Sequence, residues 1–174
     1  MIGFNTIPKI LKDFAVFIDG KRYAGQISEI ELPKITVKKE DYRVGYTSVP
    51  ITMGLEPLEC SITMVEQVKD TFLMFGILNN AAGNLITFKG YQEGEGGLLN
   101  NDEIEVQMRG VFTDYDPGTI KRGEMPAYKI KVSLHQYIYR INKMPLITID
   151  PYTNTFMVGG VDQLAASKKA LGII

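Results

Sequence analysis

The sequence predicts a mainly β protein: two packed antiparallel sheets, a β-sandwich or barrel, with one packed α-helix and a short C-terminal helix. Three observations predict it. Apolar residues alternate with polar ones along several runs of strand length. Asp19-Gly20 stands between two such runs as a hairpin signal. A mid-chain stretch and the C-terminal end change to helical spacing.

In chain order, Phe14, Val16 and Ile18 alternate up to Asp19-Gly20, and the chain returns through Tyr23, Ile27, Ile30 and Leu32. The apolar positions change from odd to even on that return, which predicts a bulge or twist. Pro33 punctuates, and Ile35 and Val37 continue an extended segment. Leu58, Cys60, Ile62 and Met64 alternate strongly. Val65, Val68, Phe72 and Phe75 then fall three and four apart, predicting an amphipathic helix with Gly76 near its C-terminal cap. A strand follows around Leu85 to Tyr91, then an acidic, glycine-rich loop from Gln92 to Asp102.

The two clearest strands come next. Ile104, Val106, Met108, Gly110 and Phe112 share one face, with Glu103, Glu105, Gln107 and Arg109 on the other. Beyond Asp116-Pro117-Gly118, residues Tyr128, Ile130, Val132, Leu134 and Ile138 alternate with Lys129, Lys131, Ser133 and His135. A hairpin near Asn142-Lys143 leads into Leu146 to Asp150. The final helix has Asp162 as N-cap, Leu164 and Leu171 on one packing face, and Gly172 at its end. The total is about eight strands and two helices.

Residues Lys38 to Pro57 stand apart. They show no clean period and make too long a connection for a compact domain. Val49, Ile51, Met53 and Leu55 are too apolar to stay in water, so the segment reads as an arm, Tyr46 included, that packs on a neighbour. Residues 1–174 otherwise read as a single domain.

Composition argues against several functions. The chain has 19 basic and 20 acidic residues, a net charge of −1, which is not the basic surface that grips phosphates. No apolar run approaches the ~20 residues that span a bilayer, and Met1 to Lys12 lacks the apolar core of a secretory signal. The single cysteine, Cys60, is in phase with Leu58 and Ile62, excludes an internal disulfide and suits assembly in a reducing cytoplasm. His135, the single histidine, sits on a polar strand face with no cysteine partner for zinc or nucleophilic chemistry. Gly94-Glu95-Gly96-Gly97 lacks the Gly-Lys-Ser/Thr that completes a phosphate loop, and Asp114-Tyr115-Asp116 before Pro117-Gly118 reads as a turn. No catalytic residue, metal ligand or cofactor site is expected.

Several blocks carry a resemblance. They are Leu11-Lys12-Asp13-Phe14, Phe17-Ile18-Asp19-Gly20, Tyr23-Ala24-Gly25, Ile30 to Ile35, Tyr42-Arg43-Val44-Gly45 and Met53-Gly54-Leu55-Glu56. Further along come Asp116-Pro117-Gly118, Ile149-Asp150-Pro151, Gly160-Val161-Asp162-Gln163-Leu164-Ala165-Ala166 and Ala170-Leu171-Gly172. In this order, from Pro8 onward, the chain resembles the major tail tube proteins of contractile-tailed phages and R-type bacteriocins. Gly45 to Thr52 and Ile120 depart from the family's pattern.

The resemblance implies the tail-tube fold and a structural, non-enzymatic subunit. It implies hexameric rings stacked into a hollow tube, with each subunit lending about four strands to a continuous lumenal barrel. The implied partners are further copies, the tail sheath protein, a baseplate or tube initiator, a tail terminator, and passing double-stranded DNA that is not held. The implied location is the virion tail or a phage-tail-like particle, without membrane insertion by the subunit alone. Glu103, Glu105, Gln107, Arg109, Lys129 and Lys131 are the candidate lumenal residues. A headless bacteriocin or injection particle is the alternative, and a small-ligand-binding β-barrel is a second of another class.

Overall fold

The computed structural model describes residues 8–75, 82–95 and 100–173. These form β1 (Ile10–Ile18), β2 (Lys21–Arg22), β3 (Ile27–Glu31), β4 (Val37–Val44), β5 (Thr47–Leu55), β6 (Leu58–Met64), α1 (Lys69–Met74) and β7 (Asn84–Glu93). They continue with β8 (Asn101–Asp116), β9 (Tyr128–Ile141), β10 (Met144–Asp150), β11 (Thr155–Val158), β12 (Val161–Asp162) and α2 (Ala165–Leu171). The fold is mainly antiparallel β with two helices, as the alternation predicts, and the sheet does not close into a barrel within one chain. The strand count exceeds the expected eight or so because β2 and β12 are only two residues long and β4 and β5 lie in the supposed arm.

The architecture turns on two long strands. β8 spans 16 residues and β9 spans 14, and they pair along most of their length. The first part of β8 also pairs with β7, which pairs with β1. The second half of β9 pairs with β10, which carries β11 and β12. The first half of β9 instead pairs with β6, and β6 with β3. One ladder thus supports two wings, β1-β7-β8-β9-β10 and β3-β6-β9-β8. Their inward residues form one core: Val16, Ile18, Ile86, Phe88, Val106 and Met108 from the first, Ile62, Met64, Ile130 and Val132 from the second.

The passage between wings falls where the β8–β9 register shifts, at Arg109/Gly110 and Phe112/Asp114. Such irregularities bend a strand and increase its twist. At Gly110 the reason for glycine is visible: an added Cβ would lie 2.3 Å from the Ser133 carbonyl oxygen.

Both sequence-predicted hairpins form. Asp19 and Gly20 have φ of 48° and 81°, and Asn142 and Lys143 have 49° and 68°, the two positive values a tight right-twisting turn requires. Asp19 is held there by accepting from the Leu85 N–H (2.8 Å) and Asn84 Nδ2 (2.6 Å). The bulge expected after Tyr23 lies between Ile27 and Glu29. At the other end, Asp102 accepts from Lys9 Nζ (2.6 Å) and Asn142 Nδ2 (2.7 Å), which depresses its pKa and ties the start of the chain to the β9–β10 turn.

Two helical expectations need correction. α1 does not begin at Val65, whose N–H still donates to the Gln26 carbonyl beside the β3–β6 ladder, and Val68 is extended, so only six residues turn. The proposed cap Gly76 lies outside the described residues. α2 starts after Leu164, not after Asp162. The Asp162 carboxylate nevertheless accepts from the Leu164 N–H (2.9 Å) and pairs with Lys168 (2.7 Å), while Gly172 ends the helix in the left-handed conformation as expected.

Gly110→Ala is expected to cost about 1–3 kcal/mol, because the methyl meets backbone rather than a flexible side chain. Urea unfolding of the variant checks this; Gly123→Ala, at φ 82° with no neighbour within 4 Å, shows by contrast the cost of backbone strain without a clash.

Candidate assembly surfaces

The β3-β6-β9-β8 wing is four strands wide, and consecutive strands alternate in direction. Its outward face follows from the register. Glu29 and Glu31 lie beside Thr63 and Ser61, these beside Lys129 and Lys131, and these beside Asp116 and Asp114. Glu59, opposite Ser133, completes the row. Lys129 Nζ reaches Glu31 Oε1 at 2.8 Å across the small side chains of β6, and Lys131 lies 3.9 Å from Asp114. The hydrogen bond to Glu31, with the nearby Glu29 and Asp116 charges, raises the Lys129 pKa above its ordinary value. Five carboxylates thus surround two lysines that are both paired.

Both edges of this wing are open. Among the described residues no strand pairs with the outer side of β3, or with the outer side of β8 from Thr113 to Asp116. Phe75, at the end of α1, makes a single parallel bridge to Phe112 just beyond that open stretch.

Glu103, Glu105, Gln107 and Arg109 lie elsewhere. They occupy the outward face of the other wing, opposite Tyr91, Lys89, Thr87 and Leu85 of β7. Glu105 accepts from Gln107 (2.7 Å) and pairs with Arg140 (3.4 Å). The sequence-predicted lumenal set therefore divides between two surfaces facing away from a common core.

Residues Lys38 to Pro57, read from sequence as irregular, form the β4–β5 hairpin, a two-stranded sheet of its own with its turn at Gly45-Tyr46. It continues the β3–β6 ladder past Leu32–Thr36 and Glu56-Pro57, joined there by a Glu56 N–H to Thr36 carbonyl bond of 2.9 Å. Tyr42, Val44, Val49 and Ile51 share one face, and Lys39, Asp41, Arg43, Ser48 and Thr52 the other. Both faces are solvent-exposed, Tyr46 and Met53 included, and only Leu55 at the base is half-buried. The missed signal was the alternation of Val49, Ile51, Met53 and Leu55 itself.

An open cleft of about 610 Å³ separates the hairpin base from the C-terminal elements, and Leu55, Leu134, Ile149, Phe156 and Leu164 line it. Leu164 is half-buried there. Leu171, expected on the same packing face, is 67% exposed, because Leu164 stands outside the helix and no residue of α2 is buried. Only the N-terminal end of α2 is docked, through Leu164 and the Asp162–Lys168 pair.

The residues considered for chemistry have structural partners. Burial pushes the Cys60 thiol up to about 12, leaving it protonated and inert at neutral pH. His135 is half-buried, not on an open polar face, and meets the Tyr152 ring edge-on at 5.2 Å. Asp116 accepts from the Gly118 N–H (2.9 Å), as a turn residue does. Gly96 and Gly97 of the glycine-rich segment lie outside the described residues. Among the described residues, no group of three or more His, Cys, Asp or Glu is placed to hold a metal.

The described residues thus form a sandwich with open strand edges and an exposed hairpin that carries apolar side chains. Residues 8–172 match the family described as phage tail tube protein FII. The chain belongs to that family. It is 31% identical over 149 residues to the major tail tube protein of Serratia phage KSP20, covering 83% of this chain and 84% of that one. It is 27% identical over 173 residues to the tail tube protein of Escherichia phage P2, covering 97% and 99%. Two solved structures share the fold at 11% identity. One is the extended sheath–tube complex of an extracellular contractile injection system (TM-score 0.56, 80% of this chain and 93% of the other). The other is that system's sheath/tube terminator (TM-score 0.55, 77% and 97%). Family members are structural, not enzymatic: they are tube subunits of the phage tail.

Two outcomes follow for α2. Leu164→Asp is expected to lower stability by at least about 1 kcal/mol, whereas Leu171→Asp leaves the isolated chain unchanged in denaturant titration. The Asp162 pKa is held down by Lys168 and the Leu164 N–H, so its contribution is present above the ordinary carboxylate range and is lost as pH falls through its folded value. Amide exchange in α2 is accordingly expected to accelerate at acid pH, and Asp162→Asn to show that faster exchange already at neutral pH.

Proposed function

We propose that this chain closes into hexameric rings through the β3-β6-β9-β8 wing, and that stacked rings form a conduit for DNA ejection inside a contractile sheath. The observation that carries this reading is the pair of open edges on a sheet of four alternating strands. Because the number is even, β3 of one copy runs antiparallel to β8 of the next, so ring closure continues the sheet without a change of hand or direction. Closure also removes edges that would otherwise invite aggregation.

The dimensions agree. A hexamer would hold about 24 strands, and ~4.8 Å spacing with ~40° tilt gives a backbone diameter of roughly 45–50 Å. Side chains leave a bore wide enough for a duplex roughly 20 Å across. The monomer, with its wings packed on one core, has no such channel.

In this arrangement the lumenal wall is the outward face of that wing. Lys129 and Lys131 remain lumenal, each offset by a carboxylate, and the wall carries a net negative charge. Phosphates are repelled, not held, which sliding requires. Glu103, Glu105, Gln107 and Arg109 fall on the other wing, turned toward the sheath. The β4–β5 hairpin is the inter-subunit arm, with the tube initiator and tail terminator meeting the two ends of the stack. The phage origin of both curated relatives supports DNA as cargo over a headless particle.

The test is electron microscopy of tubes from the purified chain, combined with two charge reversals. Glu59→Lys, on the lumenal wall, is expected to assemble normally but to reduce genome delivery by roughly ten-fold or more. Glu103→Lys, on the other wing, is expected to leave delivery unchanged. The opposite pattern in fully assembled particles would reassign the lumen, and isolated ~20 kDa particles under all conditions would overturn the ring.

A further inference from the structure

The open edge of β8 is bordered by an apolar surface that the core does not use. α1 crosses this side of the sheet, and Phe72 and Phe75, each 44% exposed, stand along it with the exposed Leu73. Phe72 is fixed by the Tyr115 ring at 4.8 Å, and Tyr115 stacks on Tyr128 at 6.3 Å, so the patch rests on the core and cannot fold inward. Lys21 pairs with Asp70, anchoring the helix from below. Phe75 adjoins Phe112, next along β8 from the open Thr113–Asp116 stretch.

We infer that this α1 edge is the receptor for the β4–β5 hairpin of the neighbouring copy, an inference that rests on the ring proposed above and names the docking surface of its arm. The argument is one of direction. β3 of the incoming copy runs antiparallel to β8, so advancing from Ile27 to Glu31 and into the hairpin means retreating along the neighbour's β8 from Asp116 toward Phe112. The hairpin base therefore arrives at Phe75. The hairpin supplies a face on which Tyr42, Val44, Val49 and Ile51 stand exposed, with Thr47 opposite Val44 and Glu40 opposite Ile51. The two surfaces lie at opposite edges of one wing, so a chain cannot cover one with the other. Only a head-to-tail contact between copies buries both, the kind of contact that generates a ring when the rotation between copies closes. Matching a rigid aromatic patch to a flat apolar ribbon also sets which end of each subunit faces the next, which strand pairing alone leaves free to slip.

The test is disulfide capture between two singly substituted chains, with inert Cys60 left in place. Met53→Cys, beside the hairpin base, and Phe75→Cys chains are mixed, allowed to assemble and oxidised. A linked dimer is expected as the major species on a non-reducing gel, and neither chain alone should give it. Met53→Cys mixed with Gln163→Cys, which places the second thiol at the cleft, is expected to give none. Tubes that form without the 53–75 link, or that link 53 to 163 instead, overturn the docking site while leaving the ring intact. Failure of the unsubstituted chain to form rings or tubes overturns the ring reading itself. As a second readout, Phe75→Glu is expected to give a folded monomer by circular dichroism that no longer assembles. Normal tubes from Phe75→Glu would count against the receptor.

Discussion

The β8–β9 ladder is the constraint on which the rest of the structure depends. A sandwich needs two layers, and here both are hung on the same pair of strands, so the bend at Gly110 sets how the layers face each other. Ser133 approaches so closely there that no side chain fits. Everything inward of the bend is core: Met108 and Val106 on one side, Phe112 and Val132 on the other, all fully or nearly fully buried. Outward, the β3-β6-β9-β8 wing carries mostly charged and small polar residues, while the other wing mixes Glu103, Glu105, Gln107 and Arg109 with Tyr91, Leu85, Phe17 and Ile138. The two polar rows therefore belong to opposite surfaces of the molecule, although both project from the same two strands.

That arrangement leaves a surplus of apolar side chains. The core consumes the inward positions of β1, β3, β6, β7, β8 and β9, while Tyr42, Val49, Ile51, Phe72 and Phe75 remain at the surface in groups. Scattered exposed apolar residues need no explanation, but contiguous ones on a rigid frame mark contacts between molecules. The hairpin is the plainest case. Two strands paired only with each other are marginal in water, and this pair is an extension of a sheet whose stability comes from the β3–β6–β9 core. Its register is inherited from the body, so it can present an apolar face without a core of its own.

The fold was legible where burial was one-sided. Alternation at Ile104 to Phe112, Tyr128 to Leu134 and Leu58 to Met64 placed three of the four ladder-supporting strands, because a half-buried strand must repeat every two residues. The turns were legible because Asp19-Gly20 and Asn142-Lys143 need residues that tolerate positive φ. The hairpin was obscured because neither of its faces is buried within one chain and Gly45, Pro50 and Gly54 mimic loop composition. Leu171 was misplaced for a related reason. Helical spacing shows which residues share a face, not whether that face meets this chain or a neighbour. The division of the charged rows was hidden because sequence shows parity along β8 and β9 but not the bend that turns one parity to two directions.

The electrostatics of ring closure add a final constraint. In the proposed seam, Glu29 and Glu31 of one copy approach Asp114 and Asp116 of the next, a like-charge contact that costs free energy unless a cation intervenes. Lys129 is placed for that purpose: it bonds Glu31 and lies near Glu29 and Asp116, and these carboxylates raise its pKa above the ordinary lysine value. Lys131 lies near Asp114 in the same way. In the proposed ring the lysines thus have a structural task that is independent of the duplex: they offset the carboxylates on either side of the seam, while the proposed wall keeps a surplus of negative charge. A wall without them would repel its own seams, and one with more would hold the phosphates it must release. Two lysines among five carboxylates lie between those limits, which would reconcile basic residues with the proposed role of this surface as the wall past which DNA slides.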